Sequence, residues 1–167
     1  MNSKLTQPEV ISDLVLQRLS RLVSAGSAPV TRLCEGKFGI TKREWRILAS
    51  LAPNECLLSS ELATHTELDR ARTSRAISSL LTKGLVARQI MTHDQRKATI
   101  TMTDKGQKLY ADFFPIVAEL NQRLLNGLSN TELLTLDKAL THLQKNAIQM
   151  QTEHGQPKAN RRRSGKK

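Results

Sequence analysis

Apolar residues recur at three- and four-residue steps at both ends of the chain and lose that spacing in the middle. Val10, Ile11, Leu14, Val15, Leu19, Leu22 and Val23 trace a wide apolar face over residues 8–26, the pattern of a helix covered on more than one side. Gly26, Pro29, Gly36 and Gly39 then interrupt it, which predicts a loop and a short helix around residues 30–37. Thr41 and Glu44 form a capping box, in which hydroxyl and carboxylate satisfy each other's orphan amides. The helix it opens runs to about Leu51, with Trp45, Leu48 and Leu51 inward, and ends at Pro53-Asn54. A long helix from Thr103-Asp104 carries Leu109, Phe113, Val117, Leu120, Leu124 and Leu128 on one stripe, and Pro115 is expected to kink it. Ser129 and Glu132 form a second capping box. Leu133, Leu136, Leu140, Leu143, Ala147 and Met150 follow at steps of 3, 4, 3, 4 and 3, the seam of a helix that pairs with another.

Residues 57–104 between these helices follow a different grammar. Leu57–Leu58 is an apolar stub. Ser59 is expected to cap a helix through Thr64, and Asp69 to cap another that runs to Lys83 before Gly84 stops it. Residues 85–91 and 97–103, rich in β-branched side chains, read as a hairpin. The fold class is therefore mainly α with a small β-hairpin wing. A winged helix-turn-helix occupies residues 41–103, and the N- and C-terminal helices, residues 8–40 and 104–150, form a helical dimerisation lobe. Residues 151–167 hold no apolar residue besides Ala159 and are expected to be a disordered basic tail.

Charge sharpens this picture. Twenty-six Lys and Arg oppose 15 Asp and Glu, a net charge of +11. Without the six cations of the last ten residues, KANRRRSGKK, it falls to +5, so the body is basic on its own and calls for a polyanionic partner. No apolar run reaches the length of a membrane span and the N-terminus lacks a signal-peptide core, so a cytoplasmic protein with no membrane partner is expected. His65, His93, His142 and His154 are scattered and pair with no Cys or carboxylate at metal-ligand spacing. No metal, no cofactor and no catalytic constellation is expected, hence no enzyme.

The second helix of the central segment begins Asp69-Arg70-Ala71-Arg72-Thr73-Ser74-Arg75. Helical spacing puts Thr73, Ile77, Leu80 and Leu81 in the core and Arg72, Arg75 and Ser79 on the opposite side. A recognition helix of this kind enters the major groove of double-stranded DNA, where Arg72 and Arg75 suit guanine O6 and N7. Arg70 and Ser74 are candidates for phosphate or base-edge contacts; Ser59, Ser60 and Thr73 complete the set expected near DNA. The turn His93-Asp94-Gln95-Arg96-Lys97 supplies the wing. There Asp94 is expected to hold Arg96 extended for the minor groove, with His93, Lys97 and Arg88 on phosphates.

LSSELA…LDRARTSRAISSLLTKGLV…HDQRKATITMTDKG, with its flanking helices, resembles the MarR (multiple antibiotic resistance regulator) family over about residues 8–150. The most specific parts are Leu68-Asp69-Arg70, Ser74-Arg75, Lys83-Gly84-Leu85-Val86, the wing Asp94-x-Arg96 and Thr103-x-x-Gly106. The resemblance implies a homodimer on a palindromic operator, usually a repressor, released by a small ligand or an oxidant. Arg72 departs from the small residue usual there, Thr73 from the usual Val, and the basic tail is not a general feature of the family. The family's ligands, commonly aromatic carboxylates or phenols, imply a crevice drawing on Arg18, Ser24, Ser27, Arg32, Trp45 and Arg46. Two alternatives stand beside the regulator: a nucleoid- or RNA-associated protein of the same fold without sequence specificity, and a redox sensor acting through Cys34 or Cys56.

Deleting residues 158–167 is expected to weaken binding to all duplexes alike and to flatten its salt dependence, read from titrations between about 50 and 200 mM salt. A loss confined to one sequence would contradict the tail's role as an electrostatic arm.

Overall fold

In chain order a 3-10 turn at Ile11–Asp13 precedes α1 (Val15–Gly36), α2 (Lys42–Leu51), β1 (Leu57–Leu58), α3 (Ser59–Thr66) and α4 (Arg70–Thr82). Then come β2 (Val86–Met91), β3 (Asp94–Met102), α5 (Asp104–Leu125) and α6 (Asn130–Thr152). The computed structural model describes residues 3–54, 56–91 and 94–152, with backbone alone at 90–91, 94–97 and 151–152; the expected basic tail thus falls outside the described residues from 153 onward. The protein is mainly helical with one small antiparallel sheet, ordered β1-β3-β2. No helix among the described residues is long and apolar enough to cross a membrane.

Two expectations about the helices need correction. Residues 15–36 form one helix rather than a helix, a loop and a short helix, and Gly26 and Pro29 lie inside it. α5, by contrast, holds Pro115 inside it as expected. Proline removes one amide from the ladder and frees the carbonyl four residues back. In both helices that carbonyl belongs to an exposed alanine, Ala25 or Ala111, so burial does not penalise the missing bond. Gly26 faces the Leu124 side chain, so it is a packing position of α1 against α5 and not a breaker. The second correction concerns Ser59, which is the first residue of α3 and not its cap. The Leu58 amide donates instead to the Glu61 carboxylate at 2.7 Å.

The chain divides into two units, one up to Leu124 and one from Leu125. The core of the first is assembled from α1 (Cys34), α2 (Trp45, Ile47, Leu48, Leu51), α3 (Leu62), α4 (Ala76, Ile77, Leu80), the sheet (Val86, Ile100) and α5 (Phe113). Aromatic rings knit α2 to α5: Trp45 stacks on Tyr110 at 5.4 Å and meets Phe113 at 4.4 Å, while Phe38 stacks on Phe113 at 4.3 Å. Such pairs contribute about 0.5–1.5 kcal/mol each beyond their buried area. In the second unit the Ser129–Glu132 box opens α6 as expected. From Asn130 to Met150 only Leu133 is half-buried, and every other side chain is exposed.

One corner of the first unit fixes the placement of α4. Gly84 takes φ +66, a conformation glycine adopts without penalty, and turns the chain from α4 into β2. The start of α5 then meets three consecutive carbonyls there. Lys105 Nζ donates to Lys83 O at 2.8 Å, Thr103 Oγ1 to Gly84 O at 2.8 Å and the Thr103 amide to Leu85 O at 3.2 Å. Gly106 makes this approach possible, because a Cβ built on it would lie 2.0 Å from the Leu85 carbonyl oxygen.

Gly106→Ala is therefore expected to destabilise the fold by about 2–3 kcal/mol, since that overlap is with backbone and no rotamer relieves it. A urea midpoint equal to the parent's, at unchanged slope, would refute the close approach.

Candidate nucleic-acid interface

α3 and α4 are joined at Glu67, whose left-handed φ of 52° lets the Glu67 and Leu68 amides reach back to the carbonyls of Thr64 and Ala63. Asp69 then caps α4, its Oδ1 accepting from the Arg72 amide at 2.8 Å. That hydrogen bond is the chief reason the Asp69 carboxyl is held below its usual range. Thr73, Ala76, Ile77 and Leu80 are buried, and α4 packs through them on α2 and α3. Ala71, Ser74, Arg75, Ser78 and Thr82 are exposed on the far side and form its outer line.

The structure separates residues that the sequence grouped. Thr73, expected near DNA, is 2% exposed, with its hydroxyl donating to the Asp69 carbonyl at 3.0 Å; it packs in the core and reaches the surface only in the floor of the cavity between α3 and α4. Arg72 and Ser79 do not stand opposite the core but on one flank, where they share a depression of about 180 Å³ with Thr41, Arg43, Glu44 and Arg75. Arg72 Nε also lies 3.2 Å from Asp69 Oδ2. Arg75 stays on the outer line, and its Nε donates to the Ala71 carbonyl at 3.3 Å, folding the side chain along its own helix. On the other flank a cavity of about 400 Å³ brings Ser59 and Ser60 of α3 together with Arg70, Ser74 and Ser78 of α4 and Arg88 of β2.

The wing differs from expectation in its backbone. β3 begins at Asp94, so Asp94 to Lys97 belong to a strand and not to a turn. The ladder slips between Ile90, opposite Ala98, and Met91, opposite Asp94, so β3 spends extra residues there. His93 and the side chains of Asp94, Arg96 and Lys97 lie outside the described residues.

Behind the flank that carries Arg72 sits a buried ion pair. Glu44 is 1% exposed, and Lys83 Nζ lies 2.8 and 2.9 Å from its two carboxylate oxygens and 2.9 Å from the Gly39 carbonyl. Burial alone would push the Glu44 carboxyl up, but hydrogen bonds from Lys83, Ser79 and Thr41 outweigh it and hold the group below its ordinary value. The pair ties the first turn of α2 to the last turn of α4. The Thr41–Glu44 box was legible as a cap; the partner 39 residues away was not.

The six candidates for a ligand crevice do not converge. Arg18, Ser24, Ser27 and Arg32 are strung along α1, with Ser27 alone half-buried. Trp45 is 7% exposed inside the aromatic cluster, whereas Arg46, its neighbour, turns toward the α3–α4 junction and reaches Glu67 at 3.8 Å. Cys34 is fully buried, and burial, reinforced by Glu35, pushes its thiol up to about 11, the reverse of what an oxidant-sensing thiolate requires. Cys56 is exposed.

Two helices at a tight left-handed turn, the second with a polar outer line, beside an antiparallel sheet, define a winged helix-turn-helix protein. Residues 38–97 match the profile of the MarR family. The HTH-type transcriptional regulator FarR of Neisseria gonorrhoeae is 31% identical over 106 residues, 64% of this chain and 73% of that protein. Among solved structures, a MarR family transcriptional regulator from Silicibacter pomeroyi is 28% identical with a TM-score of 0.72, over 84% of this chain and 93% of that one. Bordetella bronchiseptica BpsR, a protein whose DNA binding is regulated by 6-hydroxynicotinic acid, has a TM-score of 0.67 at 19% identity, over 77% of this chain and 98% of its own. The chain belongs to the MarR family of transcriptional regulators. Its relatives and its fold are those of DNA-binding proteins, not of enzymes.

The lowered Glu44 carboxyl contributes stability that is fully present above its ordinary value of 4.5 and is lost as pH falls through its lower folded value. Glu44→Gln is expected to cost about 1–3 kcal/mol at pH 7 and to lose less than the parent between pH 6 and pH 3. Parallel loss in urea melts at the two pH values would show that Glu44 does not carry this linkage.

Proposed function

We propose that the chain is a homodimeric, sequence-specific DNA-binding regulator, a repressor that a small aromatic acid or phenol releases from a palindromic operator. One observation carries the DNA-reading part. Ser74, Arg75 and Ser78 project from a helix whose opposite face is fully packed, so their polar groups are held at a fixed pitch for base edges. The wing, with Asp94 and Arg96, is assigned to the adjacent minor groove and Lys97 to a phosphate.

Dimerisation is supported by apolar side chains exposed in each unit. In the first, Ile11, Leu16, Leu22 and Val23 are exposed; in the second, Leu134, Leu136, Leu140, Ile148 and Met150 are. Apolar surface of this extent is stable in water when a second copy buries it. Residues 8–40 and 104–150 are therefore assigned to a dimerisation lobe, and two copies would address half-sites one helical turn apart. The effector reading rests on likeness in fold to BpsR and on the stacked rings of Trp45, Tyr110 and Phe114, the last 48% exposed.

Selection of bound duplexes from a random-sequence pool tests the proposal. It predicts enrichment of one inverted repeat, bound far above scrambled DNA in excess competitor; a pool that stays random would leave a non-specific nucleic-acid binder. Arg75→Ala is expected to lose about 1–3 kcal/mol of discrimination at one base pair per half-site. Unchanged preference at every position would displace Arg75 from base reading.

A further inference from the structure

The depression between the start of α2 and the flank of α4 is built from cations of two different helices. Arg43 comes from the first turn of α2, Arg72 and Arg75 from the first half of α4, and the first two of these are exposed toward the same opening as Thr41 and Ser79. One acid, Glu44, lies in its floor, and its charge is already matched by Lys83 at 2.8 Å. The depression therefore presents excess positive charge to solvent.

Its position bears on what fills it. A helix with its side chains is about 10–12 Å across and the major groove about 12 Å wide, so a helix that turns its outer line to the bases brings both flanks against the phosphate walls. The outer line here is Ala71, Ser74, Arg75, Ser78 and Thr82, and the depression lies to one side of it. Arg43 sits on another helix, behind that line. With α4 in the groove it would meet the wall and not the base edges.

We propose that Arg43 and Arg72 clamp a single phosphodiester group of the DNA backbone on this flank of α4. The clamp rests on the proposal that α4 enters the major groove. It moves Arg72 from base reading, where its place in the sequence put it, to backbone positioning, and it adds Arg43 to the contact surface. Arg72 exchanges its pairing with Asp69 for the phosphate on binding, while Asp69 Oδ1 keeps the Arg72 amide as the cap of α4. Arginine suits the task because its planar fork offers paired N–H groups to phosphate oxygens.

The test compares the parent with Arg43→Ala, Arg72→Ala and the double variant on the duplex enriched by selection, across about 50 to 200 mM KCl. Each single variant is expected to weaken selected and scrambled duplexes alike, by about tenfold. Log affinity against log salt is expected to flatten in the double variant by about 0.9 per protomer, one phosphate's worth. A fall of about twice that would place the two arginines on separate phosphates and overturn the clamp. An unchanged slope in the double variant, with the parent still preferring the selected duplex, would also overturn it and leave the DNA-reading proposal standing. Loss confined to particular base pairs in Arg72→Ala would return that residue to base reading. Thermal stabilisation by inorganic phosphate that the double variant abolishes, with the DNA slope unchanged, would make this a free-anion site and equally refute the clamp. Failure of the pool to enrich any sequence is a separate result, which sinks the reading beneath the clamp. Circular-dichroism melts matching the parent's confirm that the variants fold.

Discussion

The tripeptide Lys83-Gly84-Leu85 is the constraint on which the placement of the recognition surface depends. Its three carbonyls accept from Thr103 and Lys105 at the start of α5, and its lysine side chain ends in the buried carboxylate of Glu44 on α2. α4 is thereby tied at its C-terminal end to two other helices by hydrogen bonds of fixed direction, while the arginines of its N-terminal half face water. Packing alone tolerates small rotations. Three directed bonds at one corner, with Gly106 pressed against the same peptide, do not. The pitch of α4 and the direction of α5 are two aspects of one joint.

Around that fixed helix the cations are arranged by geometry more than by composition. Arg75 lies along its own helix on an Ala71 carbonyl, Arg72 leans on Asp69, and Arg46 leans on Glu67. All three contacts are solvent-exposed, and exposed ion pairs contribute little to folding. They pre-order long side chains that carry substantial rotamer entropy, so part of the ordering cost of any later contact is already met in the free protein.

The local signals in the sequence are the ones the fold obeys. Thr41 with Glu44, Asp69 and Ser129 with Glu132 each mark a helix start where the chain puts one, and Gly84 marks the stop. The features that local sequence does not reveal depend on tertiary packing. Pro29 looks like a breaker because it removes an amide, but the cost of that depends on whether the freed carbonyl sees water, and exposure is a tertiary property. Thr73 lies among arginines yet is buried, because a helix shows every third or fourth residue to its core whatever its neighbours are. Helical spacing placed Arg72 opposite the core by a margin too fine for a wheel, and only the packing of α2 assigned it to a flank. Nothing in the spacing of Arg43 or Lys83 singles them out, since each acquires its neighbours across a helix–helix contact.

The two thiols differ in a way that makes the protein its own reporter. Cys34 is sealed in the core with a pKa near 11, so at neutral pH it is protonated and out of reach of an electrophile, whereas Cys56 stands exposed immediately before β1. A maleimide dye or nitroxide would therefore attach at one place per chain with no engineered cysteine, beside the helices that carry the recognition surface. In an assembly of two chains the pair of labels becomes a molecular ruler across those helices, readable by dipolar spectroscopy on the native sequence.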